Sequence, residues 1–202
     1  MLVYDEMDEE PLYHYVDMCY YENKYIEEYC NLDIISSPIK AKFNDDVVYL
    51  FVDEIIDSEG KTIVNITRKT TFCLDMYFCW GSINGNKEDI SKITEALDSH
   101  KEDIGWYLDG ECRDNKIKRK ELGLKFKDLN ITINFDGKDL AEFTKSDKCF
   151  IGINDYLGDI PLQFSLQIFN KYCILVDTKS EQIAFTPRRE IKELEWSKCF
   201  PL

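Results

Sequence analysis

The fold class this sequence predicts is a mostly-β domain, on three observations. Short runs rich in Val, Ile, Thr and aromatic residues recur along the chain, turn residues separate them at close intervals, and few stretches carry a helical period. The chain has 202 residues, 44% of them hydrophobic. A length of this order buries roughly 70% of the unfolded surface, enough for one core without metal clips. Disorder and collagen-like repeats are excluded on composition.

Taken in order, residues 1–21 form an acidic, Tyr-rich segment (Tyr4, Tyr13, Tyr15, Tyr20, Tyr21) with no clean period. It is expected to be irregular, and either docks a partner or packs on the domain itself. From residue 47 the pattern changes to β-prone runs, 47–52 and 54–56, then Asp57-Ser58-Glu59-Gly60, then 62–67. A turn tetrapeptide between β-branched runs is a hairpin. Residues 71–74 have strand length, and Asn84-Gly85-Asn86 breaks the chain ahead of Ile90, Ile93 and Leu97. Their spacing of three and four gives an amphipathic helix of about three turns. Strands follow at 106–108, 122–126 and 129–135, the last with Leu129, Ile131, Ile133 and Phe135 alternating with polar residues to give one buried face. Asp136-Gly137 closes a second hairpin. A strand at 149–153 leads through Leu157-Gly158-Asp159 to a short helix at 161–170, with Pro161 in its first turn. Strands at 172–176 and 182–185 end the fold, and 191–202 read as a tail.

There are 39 acidic against 25 basic side chains, a net charge of −14. That balance repels phosphate backbones and anionic lipid, which excludes nucleic acid and polybasic membrane docking. The basic run Lys116, Lys118, Arg119 and Lys120, with Lys125 and Lys127, reads as a solvated hairpin edge. No stretch of about 18 apolar residues exists, so no membrane-spanning segment is expected. The start lacks the profile of a signal peptide. Eight cysteines are present, with no Cys-x-x-Cys pair and only His14 and His100 as histidines. Neither a metal site nor a cofactor is expected, and disulfides are the leading use of the thiols. The sequons at Asn65 and Asn130 point the same way, to glycosylation in an oxidising compartment.

The last third carries an ordered series: Cys149-Phe150-Ile151-Gly152-Ile153, then Leu157-Gly158-Asp159, then Tyr172-Cys173-Ile174-Leu175-Val176-Asp177, then Gln182-Ile183-Ala184-Phe185-Thr186-Pro187. In order and spacing this resembles the C-terminal lobe of the pepsin-like aspartic peptidases, closest in flavour to the fungal secreted branch. Upstream, Lys24-Tyr25, Ser37-Pro38-Ile39 and Val48-Tyr49-Leu50 look like the family's inter-lobe stretch. The resemblance covers residues 22–190. It implies a pepsin-like lobe with two or three short helices, a peptide or protein substrate or a partner lobe, and a secreted or endomembrane and vacuolar setting. It also implies a disulfide between Cys112 and Cys149, where the bare residues equally allow two buried thiols, and a structural role for Gly158 and Asp159 in the turn before the helix.

Such peptidases use two aspartates, one from each lobe, that share a proton and hold a water. Two carboxylates about 3 Å apart cannot both ionise, so the pair supplies acid and base together. Each sits in an Asp-Thr/Ser-Gly loop, where glycine admits the close approach of water and substrate. Here the matching residues are Phe72-Cys73-Leu74-Asp75-Met76-Tyr77-Phe78. Asp75 takes the place of the catalytic aspartate, Met76 that of the hydroxyl residue and Tyr77 that of the glycine. No Asp-Thr-Gly loop lies upstream of it. The expectation is an aspartic endopeptidase relative that is not competent as this single chain. The alternative is a non-catalytic peptide- or protein-binding module, a pseudoenzyme.

Overall fold

The computed structural model describes residues 2–4, 30–44, 47–67, 70–73, 82–102, 105–110, 112, 119–126, 129, 131–143, 149–169, 171–177 and 180–189. In chain order these form β1 (Leu2–Tyr4), β2 (Ile39–Lys40), β3 (Lys42–Asn44), β4 (Val47–Leu50), β5 (Glu54–Asp57), β6 (Thr62–Asn65), β7 (Thr70–Cys73), β8 (Ile83–Asn86) and the helix α1 (Lys87–Ala96). Then come β9 (His100–Glu102), β10 (Gly105–Leu108), β11 (Glu121–Lys125), β12 (Ile133–Asp136), β13 (Ala141–Phe143), β14 (Cys149–Ile151), β15 (Ile153–Tyr156) and β16 (Gln163–Ser165). A 3₁₀ turn (Leu166–Phe169), β17 (Tyr172–Asp177) and β18 (Gln182–Pro187) close the series. Strands dominate, as the turn spacing predicts.

Local chemistry explains the elements that match. The Asp57 carboxylate accepts from the amides of Glu59 and Lys61, both at 2.9 Å, and Gly60 takes φ +82°, which closes the β5–β6 hairpin. Asn86 caps α1 by accepting from the Asp89 amide at 3.0 Å, and Glu88 and Asp89 place negative charge on the first turn. Ile90 and Ile93 are fully buried, and Leu97 follows them just past the last turn.

Six elements differ from expectation, most for a tertiary reason. The N-terminal segment, expected to be irregular, supplies β1, whose residues pair in parallel with Ile174, Leu175 and Val176. Asn84-Gly85-Asn86 does not break the chain but lies in β8, paired in parallel with β15, and the Asn154 amide donates to Asn84 at 2.9 Å. Leu162 packs so close to Gly85 that a Cβ there would meet it at 2.6 Å, so the glycine serves close approach within a strand. The strand expected over 129–135 starts only at Ile133. Asp136-Gly137 does not close a hairpin, because β12 pairs with β11 whereas β13 pairs with β14 in another sheet. The run 149–153 is divided at Gly152, whose carbonyl accepts from Ser82 and Ile83. Finally, the helix expected over 161–170 is the strand β16 followed by the 3₁₀ turn.

Four sheets result, in the orders β1-β17-β18-β2, β13-β14-β10-β9, β12-β11-β5-β6 and β15-β8-β16-β7-β4-β3. One buried cluster joins them. Phe72 stacks on Phe164 at 5.2 Å and meets Phe169 at 5.3 Å, and Phe169 in turn stacks on Phe185 at 5.3 Å, with Phe126 6.0 Å from Phe185. This aromatic file connects the six-stranded sheet to the β17–β18 hairpin. Each such ring pair adds about 0.5–1.5 kcal/mol to the burial of its area.

Candidate functional site

The six-stranded sheet holds one inserted strand. β16 lies between β7, to which it is parallel, and β8, to which it is antiparallel. Register places Ser165 beside Cys73, and the Ser165 amide donates to the Ser82 carbonyl at 2.9 Å. The end of β7, the end of β16 and the entry to β8 are therefore level. The chain from Cys73 to Ser82 joins two strands that flank a third, and Asp75 belongs to that connection. Asp75, Met76, Tyr77 and Phe78 lie outside the described residues.

The approach to this connection is polar and firmly bonded. Thr70 is fully buried; its hydroxyl donates to the Leu50 carbonyl at 2.6 Å and accepts from the Val52 amide at 3.3 Å. Ser82 and Ser165 are also buried, and Ser82 donates to Leu140 at 3.5 Å. Phe72 and Phe164 sit below as an apolar floor.

Gly158 and Asp159 stand elsewhere. They occupy an exposed bend beyond the edge strand β15, with Gly158 at φ +113° and the adjoining Leu157 96% exposed. They lead into Leu162 and β16 rather than into a helix, and the residues beside β7 are Gln163–Ser165. Cys112 and Cys149 are bonded, with Cα atoms 4.6 Å apart. Asn65 ends β6 with an exposed side chain, and Thr67 of its sequon is exposed as well; Asn130 lies outside the described residues. Of the basic stretch, Lys120 pairs with Asp98 at 2.7 Å, Lys125 with Glu54 at 3.4 Å, and Arg119 donates to the Asp109 carbonyl at 2.7 Å. These cations serve the fold's own carboxylates and carbonyls.

Two arrangements carried no signal in the sequence. A second disulfide joins Cys30 to Cys173, with Cα atoms 6.0 Å apart. Lys171 gathers three carboxylates, Asp139 at 3.0 Å, Asp136 at 3.2 Å and Glu121 at 3.6 Å. Burial raises the Asp139 carboxyl above the usual range, outweighing the Asp136 amide and the Lys171 ammonium that favour its ionised form. Burial also works against the Lys171 charge, but its hydrogen bond to Asp139 and the charges of Asp139 and Asp136 leave it above the ordinary lysine value. Only distant strands bring these residues together, so no spacing rule reveals them. Among the described residues no group of three or more His, Cys, Asp or Glu is placed to hold a metal ion, and no helix is long and apolar enough to cross a membrane.

No protein-family model matches the chain, and neither does any curated protein. Among solved structures, basic 7S globulin from soybean aligns with a TM-score of 0.56 and 11% identity, over 75% of this chain and 42% of that one. The chain thus spans well under half the length of the globulin it matches. Identity at this level speaks for fold and leaves chemistry open. Strand content, the inserted β16 and this likeness agree on one architecture: the chain folds as a single mostly-β lobe of the pepsin-like kind.

Proposed function

We propose that this chain is a lobe of the aspartic endopeptidase lineage that does not hydrolyse peptides by itself. The observation that carries the reading is the coincidence of topology and sequence at one place. The connection that flanks the inserted strand β16 is the one that contains Asp75, and Asp75 is followed by Met76, Tyr77 and Phe78. Hydrolysis there requires a second carboxylate to share the proton and a loop that lets water approach. Tyrosine in place of glycine adds a ring where backbone must come close, and methionine and phenylalanine supply no hydroxyl to tie the loop down. An isolated carboxylate in such a loop has neither a general-acid partner nor an ordered water.

What the lobe keeps is a shape for holding an extended peptide or a second lobe. The exposed pair Tyr156 and Leu157 favours this non-catalytic reading, since a leucine left almost wholly in water beside an exposed tyrosine suits a contact surface. The two disulfides are compatible with a secreted or endomembrane setting. The test is a peptidase assay from pH 3 to pH 7 on wild type and Asp75→Asn, with and without pepstatin. No cleavage is expected from either protein. Acid-dependent, pepstatin-sensitive cleavage that disappears in Asp75→Asn would overturn the proposal.

A further inference from the structure

At one end of the β12-β11-β5-β6 sheet lies a groove of about 490 Å³. Phe126, Leu129 and Ile131 line its apolar side, and Asp53, Glu54 and Lys125 its charged side. Asp53 precedes β5, and both its backbone groups are fixed: its amide donates to Lys125 at 2.9 Å and its carbonyl accepts from Ile66 at 2.8 Å. Strand alternation turns its side chain to the same face as Ile55, which is fully buried. The result is a carboxylate oxygen, Oδ2, that is shut off from solvent and accepts no hydrogen bond. The nearest cation on the ladder does not serve it. Lys125 stands directly across from Glu54 and pairs with that carboxylate at 3.4 Å, while the Thr62 hydroxyl donates to Glu54 at 2.6 Å.

A desolvated acceptor with no internal donor is the kind of group that an external donor completes. The apolar wall beside it suits a methylene stem rather than more water. Among cations, a guanidinium fits best: it is planar, weakly hydrated, and offers paired N–H groups to a carboxylate. The net charge of −14 draws such a ligand in. We propose that this groove binds an arginine side chain of a partner polypeptide, its guanidinium on Asp53 and its stem along Phe126, Leu129 and Ile131. This site does not depend on Asp75 or on the peptidase lineage.

The test titrates the oxidised, full chain with a short extended peptide bearing one central arginine, with its lysine counterpart, and with N-acetyl-arginine amide, followed by NMR shifts and calorimetry. Saturable binding of the arginine peptide is expected, weaker binding of the other two, a tenfold or greater loss in Asp53→Asn, and little change in Glu88→Gln, which removes an equal charge from the first turn of α1, outside the groove. Equal binding by wild type and Asp53→Asn, or no saturable binding, sinks the site. If the free amide binds as tightly as the peptide, the groove takes a small guanidinium compound and the polypeptide partner is wrong. Thermal melting separates a folding defect from lost recognition. Asp53→Asn should melt at or above the wild-type temperature, and a fall of several degrees would reveal an internal partner for Asp53 and overturn the argument.

Discussion

Lys171 sits among Asp139, Asp136 and Glu121, and the four side chains do not contribute alike. Asp139 is 9% exposed and also accepts from the Asp136 amide at 2.8 Å, so its carboxylate is the member that solvent cannot rescue. Its folded pKa is raised, chiefly by burial. The folded state therefore holds this proton more tightly than the unfolded state, and stability from this group falls as pH rises from the ordinary carboxylate range through the raised value. Lys171→Met removes the ammonium that offsets burial and raises that carboxyl further. Urea denaturation should show a loss of about 1–3 kcal/mol at neutral pH and a smaller loss at pH 4, because falling pH favours the protonated Asp139 in both proteins. An equal loss at both pH values would contradict this account. Residues whose role follows from a local repeat, such as Ile90, Ile93 and Leu97, were legible in the sequence. Lys171 and Asp139 were not, because they stand 32 positions apart, Lys171 just before β17 and Asp139 between β12 and β13, and only the folded chain brings them together.

At the scale of elements, β16 is the most instructive departure. Pro161 and the length of the run suggest a helix, yet Leu162 and Phe164 are buried and Gln163 between them is not, which is the alternation of a strand. Its partners β7 and β8 lie about 80 to 90 positions upstream, beyond the reach of any local pattern. The β5–β6 hairpin and α1 were readable because turn and cap chemistry is local. The site connection was legible in part: the apolar strand before Asp75 was visible, whereas the strand that lies against β7, Gln163–Ser165, reads as helix in the sequence, and the turn of Gly158 and Asp159 leads into that strand. Phe164 is fully buried against Phe72 at the centre of this insertion. Phe164→Ala should destabilise the fold by about 3–5 kcal/mol in chemical denaturation. A loss below about 1 kcal/mol would mean that the site relaxes around the missing ring.

For the molecule as a whole, the two disulfides among the described residues differ in what they constrain. Cys112–Cys149 spans 37 positions, whereas Cys30–Cys173 spans 143. In the loop-entropy model the bonds are worth roughly 4 and roughly 5 kcal/mol respectively. Guanidinium unfolding of the paired serine variants should show the larger loss for Cys30→Ser with Cys173→Ser, and the reverse order would show that native-state effects outweigh loop size. The resemblance to a known family supplied the shorter bond. The longer one needed the β1-β17-β18-β2 sheet, in which Ser36 exchanges hydrogen bonds with Phe185, and Thr186 donates to the Asn31 carbonyl.

That sheet sets an order of events during synthesis. β1 pairs with residues 174–176, and Cys30 bonds to Cys173, so both early segments have partners on a strand made much later. A ribosome adds about 5–20 residues each second, so residues 2–4 and 30–41 wait several seconds or more for β17 and β18 to emerge. The hairpin at 54–65 and the helix after it can form during that delay, while the sheet that gathers residues 2–4, 39–40, 172–177 and 182–187 is completed only once β17 and β18 have emerged. An oxidant that acts too early finds Cys30 without Cys173, and a mispaired bond there would trap the chain before its last sheet exists.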